Sequence, residues 1–185
     1  MNNLFESQEL SLRPFEPADL PALRLYLNHP ELAGRRYIAW RLPELTPLSA
    51  AQVEGFYTQI QQNQEGFTQA VILKESQELI GHAECDWGWD PHCPSVSLVI
   101  APPFQRRGYG STILQMQLRY LFEFSAAHTV TAWLNSWNMA GLKFFAANGF
   151  HDSGRIRRTG IFQGKYCDTC VMDLLRSEWL VGRGG

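Results

Sequence analysis

No stretch of this 185-residue chain approaches the ~18 uninterrupted apolar residues of a membrane-spanning helix, so no span is expected. The opening residues include Glu6, Glu9 and Arg13 with no apolar run, which does not read as a secretory signal. A net charge of −2 exerts no general pull on nucleic acid or anionic lipid, so any basic function must be local. Four cysteines are too few for a disulfide scaffold in a chain of this length. Cys167-Asp-Thr-Cys170 is a CxxC, but Cys85 and Cys93 stand too far apart to supply a second knuckle. The residues around the CxxC read as a strand, where positions three apart point to opposite faces. No metal is therefore expected, and the cysteines read as reduced and structural. Internal repeats, low-complexity tracts and linkers are also missing. What these absences leave is an expected soluble, cytoplasmic protein with no nucleic-acid or membrane partner.

The chain has the means to fold. It is 45% hydrophobic and 12% aromatic, and its length suits one domain with one sizeable core. Residues 9–15 alternate as a first strand does. A helix is expected from Pro17 to about Asn28, closed by His29-Pro30. Residues 31–48 show no periodicity and hold Arg35, Arg36, Tyr37 and Trp40, the content of a functional loop rather than a connector. Ser49 is a plausible N-cap for a helix to about Gln62. Residues 69–74 and 78–87 form an expected antiparallel hairpin about a short polar turn. A buried strand over 96–100 then leads through a glycine loop into a helix with apolar Ile113, Leu114, Leu118, Leu121 and Phe122. A strand over 130–134 follows, then a helix over 138–148 with Gly149 beyond its end. A hairpin of 155–162 and 166–175 closes the pattern. The expected fold class is α+β, with a mixed, mostly antiparallel sheet flanked by helices. Its one parallel β-α-β crossover should run from residue 96 to residue 134.

Residues 96–125 organise the rest. A strand, a glycine loop and a helix start make an anion site, because first-turn amides lack intrahelical acceptors and the helix dipole is positive there. The loop is Gln105-Arg106-Arg107-Gly108-Tyr109-Gly110. It has no lysine, so it is not a Walker A loop. A Rossmann fingerprint would want a third glycine where Ile113 stands, and an acidic residue well beyond the loop where only the intrahelical Glu123 is near. Gly108 and Gly110 let a pyrophosphate approach the backbone closely, and Arg106 and Arg107 add cationic donors.

The loop fits Q/R-x-x-G-x-G/A and resembles the signature of the GNAT superfamily of N-acetyltransferases. The segment Asn138-Met-Ala-Gly-Leu-Lys-Phe-Phe-Ala-Ala-Asn-Gly-Phe150 resembles the family's N-x-x-A-x-x-L-Y-x-K-x-G-F. The opening Leu12-Arg13-Pro14-Phe15 and the close from Gly164-Lys-Tyr-Cys-Asp168 through Met172 to Glu178-Trp179 resemble the branch holding the ribosomal-protein N-terminal acetyltransferases. The resemblance covers nearly the whole chain and implies one N-acetyltransferase domain over residues 1–185. It implies acetyl-CoA as cosubstrate, held by Leu98, Val99, Ile100, Gln105, Arg106, Arg107, Gly108, Tyr109, Gly110 and Ser111, with Asn138 and Phe145 beside it. In the strand, backbone groups of residues 98–100 would pair with the pantetheine arm, and one N–H would polarise the thioester carbonyl.

Acetyl transfer to an amine needs a neutral nucleophile, a stabilised oxyanion and an exit for the thiolate. Amines titrate near ~8 or above ~10, so a base must take a proton. Glu84, on the strand expected beside 96–100, is the first candidate; Asp86 and His82 share its face, and Asp90 and His92 sit in the following loop. Asn138 is a second catalytic candidate and also a natural helix N-cap. Two departures from the family stand out. Ser95 occupies a position where many relatives of this branch carry glutamate, and Phe145 aligns with the usual tyrosine that helps the thiolate leave. Tyr37, Trp40 and Trp87 are candidates for an acceptor wall or for ordinary core. Arg155, Arg157 and Arg158 read as a solvated strand face. The resemblance makes a homodimer an option.

The expected function is N-acetyl transfer to a primary amine of a small molecule or a protein N-terminus. The alternative is a CoA-binding sensor that kept the cradle and lost the chemistry.

Overall fold

The computed structural model of the chain describes residues 4–32, 47–88 and 90–182. Its strands are β1 (Leu10–Pro14), β2 (Gly66–Leu73), β3 (Glu78–Asp86), β4 (Ser95–Ile100), β5 (Thr129–Asn135), β6 (His151–Phe162) and β7 (Lys165–Leu175). The helices are α1 (Leu20–Leu27), α2 (Ala50–Gln62), α3 (Tyr109–Phe124), α4 (Met139–Ala147) and α5 (Arg176–Val181). The strands form one seven-stranded sheet in the order β1-β2-β3-β4-β5-β7-β6. Every neighbouring pair is antiparallel except β4 and β5, the ends of the crossover through α3.

The sheet separates two packing layers. On one face, α3 buries Ile113, Leu114, Leu118, Leu121 and Phe122 completely against Ala83, Val96, Val130 and Ala132. On the other, α1 and α2 set Leu23, Tyr26, Leu27, Val53 and Phe56 against Ala70, Ile72 and Val99. Strand periodicity sorts the site residues between these layers. Ala83, Cys85, Val96 and Leu98 face α3, whereas His82, Glu84, Ser97 and Val99 face the α1–α2 side.

Local chemistry sets several helix ends. Ser49 caps α2 reciprocally: its Oγ accepts the Gln52 amide at 3.3 Å, and Gln52 Oε1 accepts the Ser49 amide at 2.8 Å. Ahead of α1, the Arg13 guanidinium grips Asp19 through both carboxylate oxygens at 2.7 and 2.9 Å, and the Glu16 amide adds 2.8 Å. Burial pushes the Asp19 carboxyl up, but Arg13 and the Glu16 amide outweigh it and hold the group below its ordinary range. The same pairing pushes Arg13 up. After α4, Gly149 takes φ +91° and the Phe150 amide returns to the Phe145 carbonyl at 3.1 Å, as the sequence predicts.

Some features differ from expectation: β2 begins at Gly66 rather than Gln69, and β6 at His151 rather than Arg155. Residues 17–19 form a separate 3₁₀ turn before α1. A terminal helix, α5, follows β7; the Glu178 carboxylate accepts the Leu175 amide at 2.9 Å, and Trp179 packs on Phe122. No helix among the described residues is long and apolar enough to cross a membrane. All four cysteines are free thiols.

The functional consequence of the sheet lies between β4 and β5. Their register pairing is confined to Ser95 with Thr131, supported by the Thr131 amide bonding the Pro94 carbonyl at 2.9 Å. Beyond that point the strands part. The inner edge of β4 is left without a strand partner, and buried backbone groups there need another one.

Candidate active site

The parting opens a cleft of about 650 Å³ through the middle of the sheet. Residues 96–100 form one edge, and Trp133, Leu134 and Asn135 form the other. One mouth lies at the start of α3. Pro102–Phe104 makes a 3₁₀ turn after β4, and Gln105 Nε2 donates to the Ile100 carbonyl at 2.8 Å, pinning the loop to the strand end. Arg106 and Gly108 then take φ of +59° and +85°, so the chain turns sharply into α3. At Gly108 that conformation strains any side chain, whereas the space around a Cβ there is open. At Gly110 space is the constraint, since a Cβ would meet the Phe144 ring at 3.1 Å. The start of α3 therefore lines the cleft with two residues that carry no side chain, at the end of a helix whose first-turn amides have no intrahelical acceptor, features that suit a diphosphate.

Gln105, Arg106, Gly108, Gly110 and Ser111 line the cleft, together with Leu98, Val99 and Ile100. Arg107 is exposed, its guanidinium 5.7 Å from the centre of the Phe104 ring, and is not among the lining residues. Tyr109 is buried in the core beside Ile113, so only its backbone remains for a cofactor. Asn138 lines the cleft and caps α4, its Oδ1 accepting the Gly141 amide at 3.1 Å. Phe145 reaches the same cleft from α4, 6% exposed and packed edge-on between Phe144 and Phe150.

The other mouth opens on the α1–α2 layer. Leu27, Leu32, Leu48 and Phe56 wall it, and Glu84 is the one carboxylate among the described lining residues. Glu84 is a third exposed. Its Oε2 accepts from Ser97 Oγ at 3.0 Å, its Oε1 lies 3.4 Å from His82 Nε2, and its backbone carbonyl accepts from Gln117 Nε2 at 2.7 Å. His82 in turn meets the Tyr26 hydroxyl through Nδ1 at 2.6 Å.

Trp87 does not join this wall. It packs on Phe67 and Tyr120 at 5.7 and 6.3 Å between ring centres, in the layer that belongs to α3. The reason is parity: it shares the face of Cys85, not that of Glu84. Tyr37 and Trp40 lie outside the described residues. Of the alternative bases, His82 lines the cleft, but Asp86, Asp90 and His92 do not. Asp86 is spent on the Gly88 amide at 2.7 Å, and Asp90 on the His92 amide at 2.8 Å.

Four residues escape sequence reasoning. Ser97 and Gln117 carried a signal, since the strand period points Ser97 at Glu84's face and the helical spacing puts Gln117 on the buried side of α3. Lys143 lines the cleft from α4. Tyr26 reads only as an apolar-face residue of α1. No group of three or more His, Cys, Asp or Glu among the described residues could hold a metal ion.

A profile of the family described as "Acetyltransferase (GNAT) domain" matches residues 9–151. Among solved structures, the chain is similar to a Vibrio cholerae spermidine N-acetyltransferase in complex with CoA and spermine. That match has a TM-score of 0.78 at 21% identity, over 94% of this chain and 99% of that one. A GNAT-family acetyltransferase from Bacillus anthracis aligns with a TM-score of 0.79 at 20% identity, over 94% and 99%. A GCN5-related N-acetyltransferase from Brucella melitensis gives 0.79 at 19%, over 95% and 80%. At such identities these likenesses speak to the fold. No curated protein sequence matches the chain significantly. The family profile covers well over half of the chain, including the parted strands and the glycine loop before α3. The chain belongs to the GNAT acetyltransferases, enzymes that take an acetyl group from acetyl-CoA to an amine.

Proposed function

We propose that the protein acetylates a primary amine directly from acetyl-CoA, with Glu84 as the base and the parted edge of β4 as the thioester site. The observation that carries this reading is the position of Glu84. It faces the acceptor side of the cleft on the strand adjacent to β4, where its carboxylate is held by Ser97. In this reading the first amides of α3, with Arg106 and Ser111, take the diphosphate. Backbone groups of Leu98, Val99 and Ile100 take the pantetheine arm and polarise the carbonyl. Arg107 and the Tyr109 backbone lie at the cradle's outer edge. Asn138 orders the start of α4 beside the cofactor, and Phe145 packs against it.

The reaction balances without a further reagent. Glu84 removes one proton from the substrate ammonium and passes it to solvent. The neutral nitrogen attacks the thioester carbon, the β4 edge stabilises the oxyanion, and the C–S bond breaks as the tetrahedral intermediate collapses. The second nitrogen proton ends on the departing thiolate. A thiol of pKa ~8.5 is a tolerable leaving group near neutrality, so the phenylalanine at 145 slows this step rather than blocking it.

The acceptor mouth favours an amine with an apolar body. Leu27, Leu32, Leu48 and Phe56 offer hydrocarbon, and Glu84 alone among the described lining residues offers negative charge. Each buried methylene contributes about 0.8 kcal/mol, whereas extra ammonium groups without partners would be costly to desolvate. The Vibrio cholerae neighbour's spermine complex supports an amine acceptor; the described part of the lining supports a single amine rather than a polyamine. A protein N-terminus beginning with an apolar residue, as the resemblance to the ribosomal-protein branch suggests, meets the same description. We place the reaction in the cytoplasm, in one domain spanning the chain, and a homodimer remains compatible with it.

Phe145 is the observation behind a second reading, a CoA-binding sensor without turnover, since no tyrosine side chain is among the described lining residues. Calorimetry with acetyl-CoA tests what the two readings share, and absence of binding at millimolar concentration would sink both. Thiol release over a panel of alkylamines, polyamines and peptide N-termini then separates them.

A further inference from the structure

The acceptor side of the cleft holds a buried polar group with no role in the chemistry above. His82 is 3% exposed, yet it lines the cleft two residues before Glu84 on the same face of β3. The rings of Phe15, Tyr26 and Phe56 surround it at 6.4, 5.9 and 6.0 Å between centres. A histidine enclosed this way must satisfy both ring nitrogens from within the protein. Nδ1 has the Tyr26 hydroxyl at 2.6 Å, and Nε2 faces Glu84 Oε1 at 3.4 Å. The second distance is long for a hydrogen bond, but of the kind that tightens when substrate closes a site.

We infer that Tyr26 and His82 are a positioning pair for Glu84. The Tyr26 hydroxyl donates to Nδ1, which leaves the ring proton on Nε2, and that proton is directed at Glu84 Oε1. Ser97 holds Oε2 from the opposite side. The carboxylate is thereby oriented through both oxygens, with donors that favour its charged form. This is an arrangement of base and second partner in which the partner's tautomer is set by a third group. His82 here acts through Glu84 and never takes the substrate proton. The inference rests on Glu84 being the base.

Among the described residues, these groups face the pair. His82 and Glu84 meet Tyr26 from α1, Phe56 from α2 and Phe15 after β1. Across the sheet they pair with Ala70 and Thr68 on β2 and with Val99 and Ser97 on β4. Tyr26 is the only other titratable group in that set. Arg106 and Lys143 line the cleft from the loop before α3 and from α4.

Two measurements on the full chain test the pair. The first, imidazole ¹⁵N spectra of His82, needs no acceptor. A neutral ring with the proton on Nε2 is expected, and Tyr26→Phe should mix the tautomers. An Nδ1–H ring, or spectra unmoved by Tyr26→Phe, would overturn the proposal. The second uses thiol release with 2-phenylethylamine as probe amine. Glutamine can place an amide donor near Nε2, whereas asparagine reaches only the Nδ1 position. His82→Gln should therefore retain kcat/KM within about tenfold, while His82→Asn loses about a hundredfold, the scale of a misplaced catalytic group. In His82→Asn and Tyr26→Phe the acid limb of the kcat/KM profile should move up by about one pH unit, because Glu84 loses a donor to its charged form. Equal losses in both histidine variants with an unmoved acid limb would make the pair purely structural. If 2-phenylethylamine is not turned over, the proposed acetylation is what fails for that amine, and the spectra still decide the tautomer.

Discussion

Ser97 Oγ lies 3.0 Å from Glu84 Oε2, directly across the β3–β4 register, where the strand that pairs with Glu84's strand is also the strand that borders the parted edge. In the proposed mechanism, one antiparallel pairing thus sets the distance between the proton acceptor and the thioester. Glu84→Gln keeps the shape and the Ser97 contact but removes the basicity. It should lower kcat by about 10²- to 10⁴-fold while acetyl-CoA affinity stays within about twofold. Steady-state kinetics paired with calorimetry reads both, and a variant of unaltered kcat would remove Glu84 from the mechanism.

The cradle makes a second test. Gly108 combines open space at its Cβ position with φ +85°, so a longer acidic side chain would both strain the turn and fill the concavity with negative charge. Gly108→Glu should abolish acetyl-CoA binding in calorimetry. Gly108→Ala, which meets no atom, should cost about 1–2 kcal/mol of stability from the left-handed backbone alone and retain measurable binding. Unchanged affinity in Gly108→Glu would move the diphosphate elsewhere.

Phe145 offers a gain rather than a loss. The ring lines the cleft edge-on to Phe150 at 5.0 Å between centres. Phe145→Tyr adds one hydroxyl toward the space where the thiolate departs. If thiolate protonation limits turnover, kcat should rise by about tenfold, within the range general acids supply. A kcat that stays level assigns the limit to another step.

In the single-amine reading, acceptor choice follows from the apolar mouth. 2-Phenylethylamine or hexylamine should exceed spermidine in kcat/KM by at least about tenfold, because spermidine would carry two further ammonium groups into an apolar wall whose described residues offer them no partner beyond Glu84. Leu48→Asp puts a carboxylate into that wall on a residue whose backbone Asn28 holds at 2.6 and 3.0 Å, and should reverse the preference. Spermidine as the better substrate of the unaltered protein would contradict the single-amine reading.

Acid stability should trace the Arg13–Asp19 clasp. Asp19 titrates lower in the fold than in the unfolded chain. Its contribution is therefore complete above the unfolded value of ~3.9, and declines as pH falls through the folded value. Asp19→Asn should cost about 1–2 kcal/mol at neutral pH, discounted because Arg13 is one-third exposed, and should flatten the loss of stability below pH ~4. Denaturant titrations at several pH values measure it; equal cost at pH 3 and pH 7 would exclude the clasp as its source.

The parts of this protein that its residue order determined are those governed by neighbours in the chain. The cradle needed only two glycines, a strand before them and a helix after them, because backbone amides and dihedral freedom are local properties. The buried face of α3, the Ser49 cap, the Gly149 stop and the sheet position of Glu84 follow in the same way from periods of 3.6 and 2. Of the two readings open for Trp87, acceptor wall or core, parity favours the core, since it follows Cys85 rather than Glu84 in facing. Tertiary structure decided where β4 and β5 part, because a parallel pair sharing one register position leaves no trace in composition. It also brought Tyr26 to His82 across 56 residues, a meeting set by how α1 lies on the sheet rather than by anything near either residue. The glycine loop at one mouth of the cleft was therefore legible in advance, whereas the opposite mouth, assembled from α1, α2 and two strands, existed only once those layers had packed.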